Sequence, residues 1–441
     1  MTIELSNITF TNEADIIPVF GIEKIVNTGI ANTLAGDDTI TGIGGIFGES
    51  ERVNGIERAN GIENIGTLNT ADGNDVITGI GITYGLNITD DGTLNTGDGD
   101  DIILGIHNLS EDAISARNFG SGISISDGSS IDTGEGNNLI TGISQTNRGI
   151  ETSNSDIDTG NGNDTITGIG TTEGIRFSDG FIDTGNGNDI ITGTGSFGIY
   201  TDLAGLYTRD GNDRITGNST GTGLGGLGIY NGDDMVTGEG NDTIAGTNTG
   251  DGAGINNILY MDTDNGDDII TGTSRGGTGI VTDGFSRMNT GNGDDIITGT
   301  STTRGREGIL SFQFSSINTG DGNDKIIGSG SVGINNDGTI NTGNGADLIF
   351  ADGGFDGSGE VFLGKGTDYL KGFGSGTFNG GNDRDSLELT SGSYTIGIVG
   401  AVVSFTKGSS IMKTSDFEIL IAGNTMYDIA SLMNGQTITI A

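Results

Sequence analysis

A six-residue run, glycine-rich and closed by an acid, is the part of this sequence best equipped for chemistry. It reads Thr-Gly-Asn-Gly-Asn-Asp at 159–164, recurs unchanged at 184–189, and returns as Thr-Gly-Asn-Gly-Asp-Asp at 290–295. Glycines in a tight turn leave backbone carbonyls free to point at a common centre, and the closing aspartate adds a hard anionic oxygen. Calcium is held by such oxygens, about six to eight of them, from carboxylates and carbonyls alike. Aligning the chain on this aspartate gives anchors at Asp38, Asp75, Asp101, Asn138, Asp164, Asp189, Asp213, Asp242, Asp268, Asp295, Asp324 and Asp347, with Asp368 and Asp385 following at closer spacing. The aspartates of this series are the expected metal ligands. Asn138, and the turns in which Ala71, Arg209 or Asp264 replaces a glycine, depart from the pattern.

The anchors recur about every 25 residues, with two intervals of 37 that read as loops inserted into a coil. Three short apolar pieces repeat with them: one just after the anchor (Ile191, Ile297), a Gly-Ile pair (Gly149-Ile150, Gly174-Ile175, Gly279-Ile280), and Ile-Asp/Asn-Thr-Gly before the next anchor (Ile131, Ile182, Ile317). Turn dipeptides such as Asp127-Gly128 and Asp179-Gly180 separate the last two. Such short strands cannot stand alone, and no piece between them is long enough for a crossover helix. The fold class predicted is therefore all-β, a parallel β-solenoid of about twelve coils, in which each strand pairs with its equivalents above and below and isoleucines stack inside. Residues 1–30, with Pro18, read as an N-terminal cap, 31–385 as the solenoid, and 386–441 as a small β-rich C-terminal module.

Composition agrees. Of 441 residues 87 are glycine and one is proline, which excludes a helical protein and collagen. Sixty acids against 18 bases give a formal net charge of −42, and 44 of the acids are aspartate. Such a chain attracts cations and repels nucleic acid. With no cysteine, disulfides and thiolate metal sites are ruled out. No N-terminal secretory signal and no membrane-spanning apolar run are recognisable, so membrane insertion is not expected.

The nine-residue pattern behind these turns resembles the RTX, or haemolysin-type calcium-binding, repeat of bacterial secreted proteins. Gly380–Glu388 fits it with Asp383 in place of one glycine, and 363–371 fits with Leu363 in place of the first. The central coils differ from that family: threonine usually stands at the first glycine (Thr96, Thr133, Thr159, Thr184, Thr290, Thr319, Thr342), and the calcium turn occurs once per coil. A single row of ions along one edge is the expectation. The run 385–432 is similar to the C-terminal module of many such proteins, cyanobacterial ones included. The resemblance implies Ca2+ as cofactor, an uncleaved C-terminal signal for type I export, and an extracellular or cell-surface location. A repeat that folds on external calcium would follow from the coupling of metal binding to folding.

Two other functions fit the sequence less well. A polysaccharide-acting β-helix enzyme finds little support: the sequence contains no HExxH or GxSxG motif, its arginines are scattered, and the lone His107 reads as an ordinary surface residue in an inserted loop. An ice-binding solenoid would need a regular outward threonine array. Thr41, Thr78, Thr141, Thr167, Thr192, Thr216, Thr271 and Thr298 form one column, but the column beside it mixes Thr39 and Thr165 with Val76, Leu139, Ile190, Arg214, Ile269 and Ile296. That second column is instead an apolar stripe suited to self-association or a cell-surface matrix. The reading is a structural or surface protein, not an enzyme.

Overall fold

The computed structural model describes residues 2–17, 24–44, 51–53, 56–58, 60–108, 120–221 and 225–441. Pro18 and most of the insertion after His107 lie outside them. The chain forms two compact units, residues 1–221 with 232–237 and residues 222–231 with 238–441. Both are parallel β-solenoids, carrying about twelve coils between them. α-Helix is absent from the described residues.

Each coil has three faces, illustrated by Leu139–Ser144, Ile150–Ser153 and Asp156–Asp158. The first follows the anchor. Its alternation sends Ile140 and Gly142 inward and Leu139 and Thr141 outward, and parallel pairing carries that pattern from coil to coil. In the first unit Ile40, Ile77, Ile103, Ile140, Ile166, Ile191 and Ile215 stand in register. In the second unit Ile244, Ile270, Ile297, Ile326, Ile349, Leu370 and Leu387 do the same. All are at most 1 % exposed, so each contributes about 1.5–3 kcal/mol of burial. The second face stacks Ile123, Ile150, Ile175 and Ile199, and the third Ile131, Ile157, Ile182, Leu206 and Met235.

The recurring inward glycine of the first face has a packing cause. A Cβ on Gly168 would lie 2.2 Å from the carbonyl oxygen of Gly174 on the second face, so the two backbones meet without side chains between them. This contact brings the first two faces together and leaves the isoleucines to fill the wider part of each coil.

At the C-terminus the strands turn antiparallel. Gly392–Val399 pairs with Val402–Lys407 and Thr437–Ile440, while Ser410–Ser415 and Ile419–Ala422 continue the parallel stacks beyond Gly376–Asn379 and Ser386–Leu389. The last coils are thus covered by strands of the same chain, which protects edges that would otherwise invite pairing with another chain.

Candidate metal centre

The thirteen anchor aspartates stack along one edge of their units, and every one is at most 2 % exposed. Alternation from the buried isoleucine or leucine two residues later turns each carboxylate inward. Within each unit, Oδ1 of an anchor accepts the backbone N–H of the anchor in the preceding coil. In the first unit this ladder runs Asp15, Asp38, Asp75, Asp101, Asn138, Asp164, Asp189, Asp213, at 2.7–3.0 Å per step. In the second it runs Asp242, Asp268, Asp295, Asp324, Asp347, Asp368, Asp385, Glu418, at 2.7–2.9 Å. The two ends were missed by motif reading, because Asp15 and Glu418 lack the glycine turn. Their signal is the apolar residue two places on, Ile17 and Leu420.

The second carboxylate oxygen is treated in two ways. In five coils the threonine five residues earlier donates its hydroxyl to Oδ2: Thr96 to Asp101, Thr159 to Asp164, Thr184 to Asp189, Thr263 to Asp268 and Thr290 to Asp295, at 2.5–2.8 Å. At Thr33, Thr70, Thr319 and Thr342 the hydroxyl turns instead to a carbonyl of the next coil. Oδ2 of Asp38, Asp75, Asp324 and Asp347 is then buried without a well-formed hydrogen bond, the threonine hydroxyl acting on each carboxyl only as a nearby donor that lowers its pKa against the larger effect of burial. Asp368 and Asp385 have Leu363 and Gly380 at that place, and their Oδ2 atoms are likewise buried and unpartnered.

Burial pushes these acids far above the ordinary aspartate value of 3.8, despite the hydrogen bonds they accept. Asp75, Asp164, Asp324 and Asp368 rise to about 7, Asp268 to about 8, and Asp101, Asp189, Asp295, Asp347 and Asp385 to about 6. Asp38 is raised as well, for the same cause.

Asn138 shows what surrounds the second position. Its Oδ1 keeps the ladder bond to Asp101, while its Nδ2 donates to the carbonyls of Thr159 at 3.0 Å and of Gly134 and Gly136 at 3.4 Å. Because Oδ1 is fixed alike in every coil, Oδ2 of an aspartate takes the place of that nitrogen. It therefore faces an acceptor-rich pocket of backbone oxygens. The glycines are required for this close stacking: a Cβ on Gly162, at φ +150°, would fall 1.6 Å from the carbonyl oxygen of Gly136. Buried carboxylate and carbonyl oxygens so short of donors suit a hard cation. Among the described residues no three acidic or histidine side chains converge on one point, so the carbonyls would supply much of any such shell.

Ala71, Arg209 and Asp264 occupy the second-glycine place with φ of +60°, +63° and +55°, so these turns keep the glycine conformation without glycine. Arg209 also pairs with Asp183 across one coil. His107 is corrected outright. It is fully buried, because it ends the strand Ile102–His107 in register with Leu139–Ser144 and alternation points it inward. Its ring nitrogens lie 2.9 Å from Ser144 Oγ and 3.1 Å from the Ile82 carbonyl. A scan against protein-family models finds no match for this chain, and a search of curated proteins finds none similar to it.

Proposed function

We propose that the chain is a calcium-binding structural protein of the cell exterior, whose aspartate anchor turns each take a calcium ion and complete their folding when they do. The observation that carries this reading is the buried Oδ2 of Asp38, Asp75, Asp324, Asp347, Asp368 and Asp385, left without a well-formed hydrogen bond; the carbonyls that receive the Asn138 amide mark the kind of pocket such an oxygen would share with an ion. Asp38, Asp75, Asp101, Asp164, Asp189, Asp213, Asp242, Asp268, Asp295, Asp324, Asp347, Asp368 and Asp385 would hold the ion through Oδ2. Carbonyls equivalent to those of Gly134, Gly136 and Thr159 would complete the shell. When bound, the ion supplies the positive charge that this oxygen cluster lacks. Export is inferred from the resemblance of 385–432 to the C-terminal module of type I secreted proteins. Assembly with copies of itself or a surface matrix is inferred from the outward column Val76, Ile102, Leu139, Thr165 and Ile190, whose members stand in register and are apolar at every place but Thr165. No helix among the described residues is long and apolar enough to cross a membrane.

Circular dichroism and bound-calcium analysis before and after treatment with a chelator test the reading. Loss of β signal on chelation, its return with calcium, and an uptake of many ions per chain are expected. An unchanged β signal together with no calcium uptake would remove the proposal.

A further inference from the structure

We propose that Asn138 takes the place of a cation: its side-chain amide closes its own turn, which holds no ion, and makes the neighbouring coils the part of the first unit that stays ordered without calcium. The inference rests on the calcium reading and sharpens it at one position.

This coil differs from its neighbours at one side-chain atom. Oδ1 of Asn138 accepts the N–H of Asp101, as an aspartate would, and its own N–H donates to Asp164 Oδ1 at 2.7 Å. The ladder thus passes through unbroken. At the other atom, two N–H donors replace an anionic oxygen, and three carbonyls of two successive coils receive them. Thr133 cannot donate to an amide nitrogen, and its hydroxyl goes to the Thr159 carbonyl at 3.4 Å, as those of Thr33 and Thr70 go to a carbonyl of the next coil. The amide is 2 % exposed.

Two consequences follow from charge and donor count. Calcium needs an anionic ligand at this place and space beside the carbonyls; the amide removes the first and fills the second. Without calcium, the turns of Asp38 and Asp75 keep a buried carboxylate oxygen short of donors, whereas the Asn138 turn is already satisfied by its own amide. Unwinding in calcium-free conditions should therefore spare the coils from Asp101 to Asp164 longest, and refolding should start there. A neutral amide within a row of acids closes its turn with the chain's own atoms.

The test compares the full chain with Asn138→Asp and, as the reverse change, Asp164→Asn. Equilibrium dialysis with metal analysis should show one more calcium ion per chain in Asn138→Asp and one fewer in Asp164→Asn. Hydrogen exchange in chelator should find the amides of 133–138 in the wild-type chain exchanging about tenfold more slowly than those of 70–75, the advantage of one to two net hydrogen bonds. Asn138→Asp should abolish that difference until calcium is restored. If wild type binds calcium but neither variant changes the count, or the 133–138 turn exchanges like its neighbours, the role of Asn138 is overturned. A wild-type chain that binds no calcium would instead refute the underlying calcium reading. Should Asn138→Asp fail to fold, the count in Asp164→Asn and the wild-type exchange map still decide.

Discussion

A carboxylate set among backbone oxygens must acquire a proton or a cation, and Asp75 and Asp268, pushed up to about 7 and about 8, express that demand. The direction fixes the pH response of calcium-stripped protein. An acid whose value is raised on folding binds protons that the unfolded chain has released. Its stabilisation is fully present below the ordinary value of 3.8 and is lost as pH rises through the folded values, from about 6 at Asp101 to about 8 at Asp268. Protonation at pH near 5 then substitutes for the metal, and chelated protein should melt higher at that pH than near pH 8. Thermal melts followed by circular dichroism in chelator check this; a melting temperature that falls steadily on acidification from pH 8 to pH 5 would contradict it.

Among the elements, the turn is held by stacking as much as by ligands. Gly162→Ala would place a methyl against the Gly136 carbonyl at 1.6 Å, backbone against backbone, with no flexible side chain to yield. We expect a cost of about 3 kcal/mol, at the upper end of ordinary single substitutions, and local loss of protection at 134–164 in hydrogen exchange even with saturating calcium. The repeat itself was legible in the sequence, because Ile166, Ile191 and Ile297 follow their anchors at a constant offset and inward alternation then fixes all three faces. The aspartate ladder was not, since a bond from one anchor to the next depends on axial register between residues some 25 places apart. Nor were the variable positions of the turn. Asn163, Asn188 and Asn212 donate their backbone N–H groups to Oδ1 of Asn137, Asn163 and Asn188, an outer ladder of exposed side chains at 2.8–2.9 Å. The burial of His107 was hidden by the insertion beside it, although strand alternation from Ile103 already points it inward.

At the scale of the whole molecule, the formal charge of −42 comprises two populations that salt should separate. Asp37, Asp72, Asp98, Asp100, Asp210, Asp267, Asp294 and Asp321 are exposed, and their mutual repulsion is screened by any electrolyte. The anchors are buried, where mobile ions do not reach, so screening leaves their demand intact. Calcium at about 1 mM, within the range of extracellular calcium modules, should therefore restore the β signal of chelated protein. Sodium chloride at about 1 M, with a Debye length near 3 Å, should not. Magnesium separates a site from a charge effect more sharply still, because it carries the same charge but holds its water and demands a small octahedral shell. A cluster of carbonyls fixed by stacked glycines offers neither, and magnesium at the same concentration should leave the chain unfolded. Recovery in sodium chloride or magnesium equal to that in calcium would mean that general charge repulsion, and not the anchor turns, keeps the metal-free chain open.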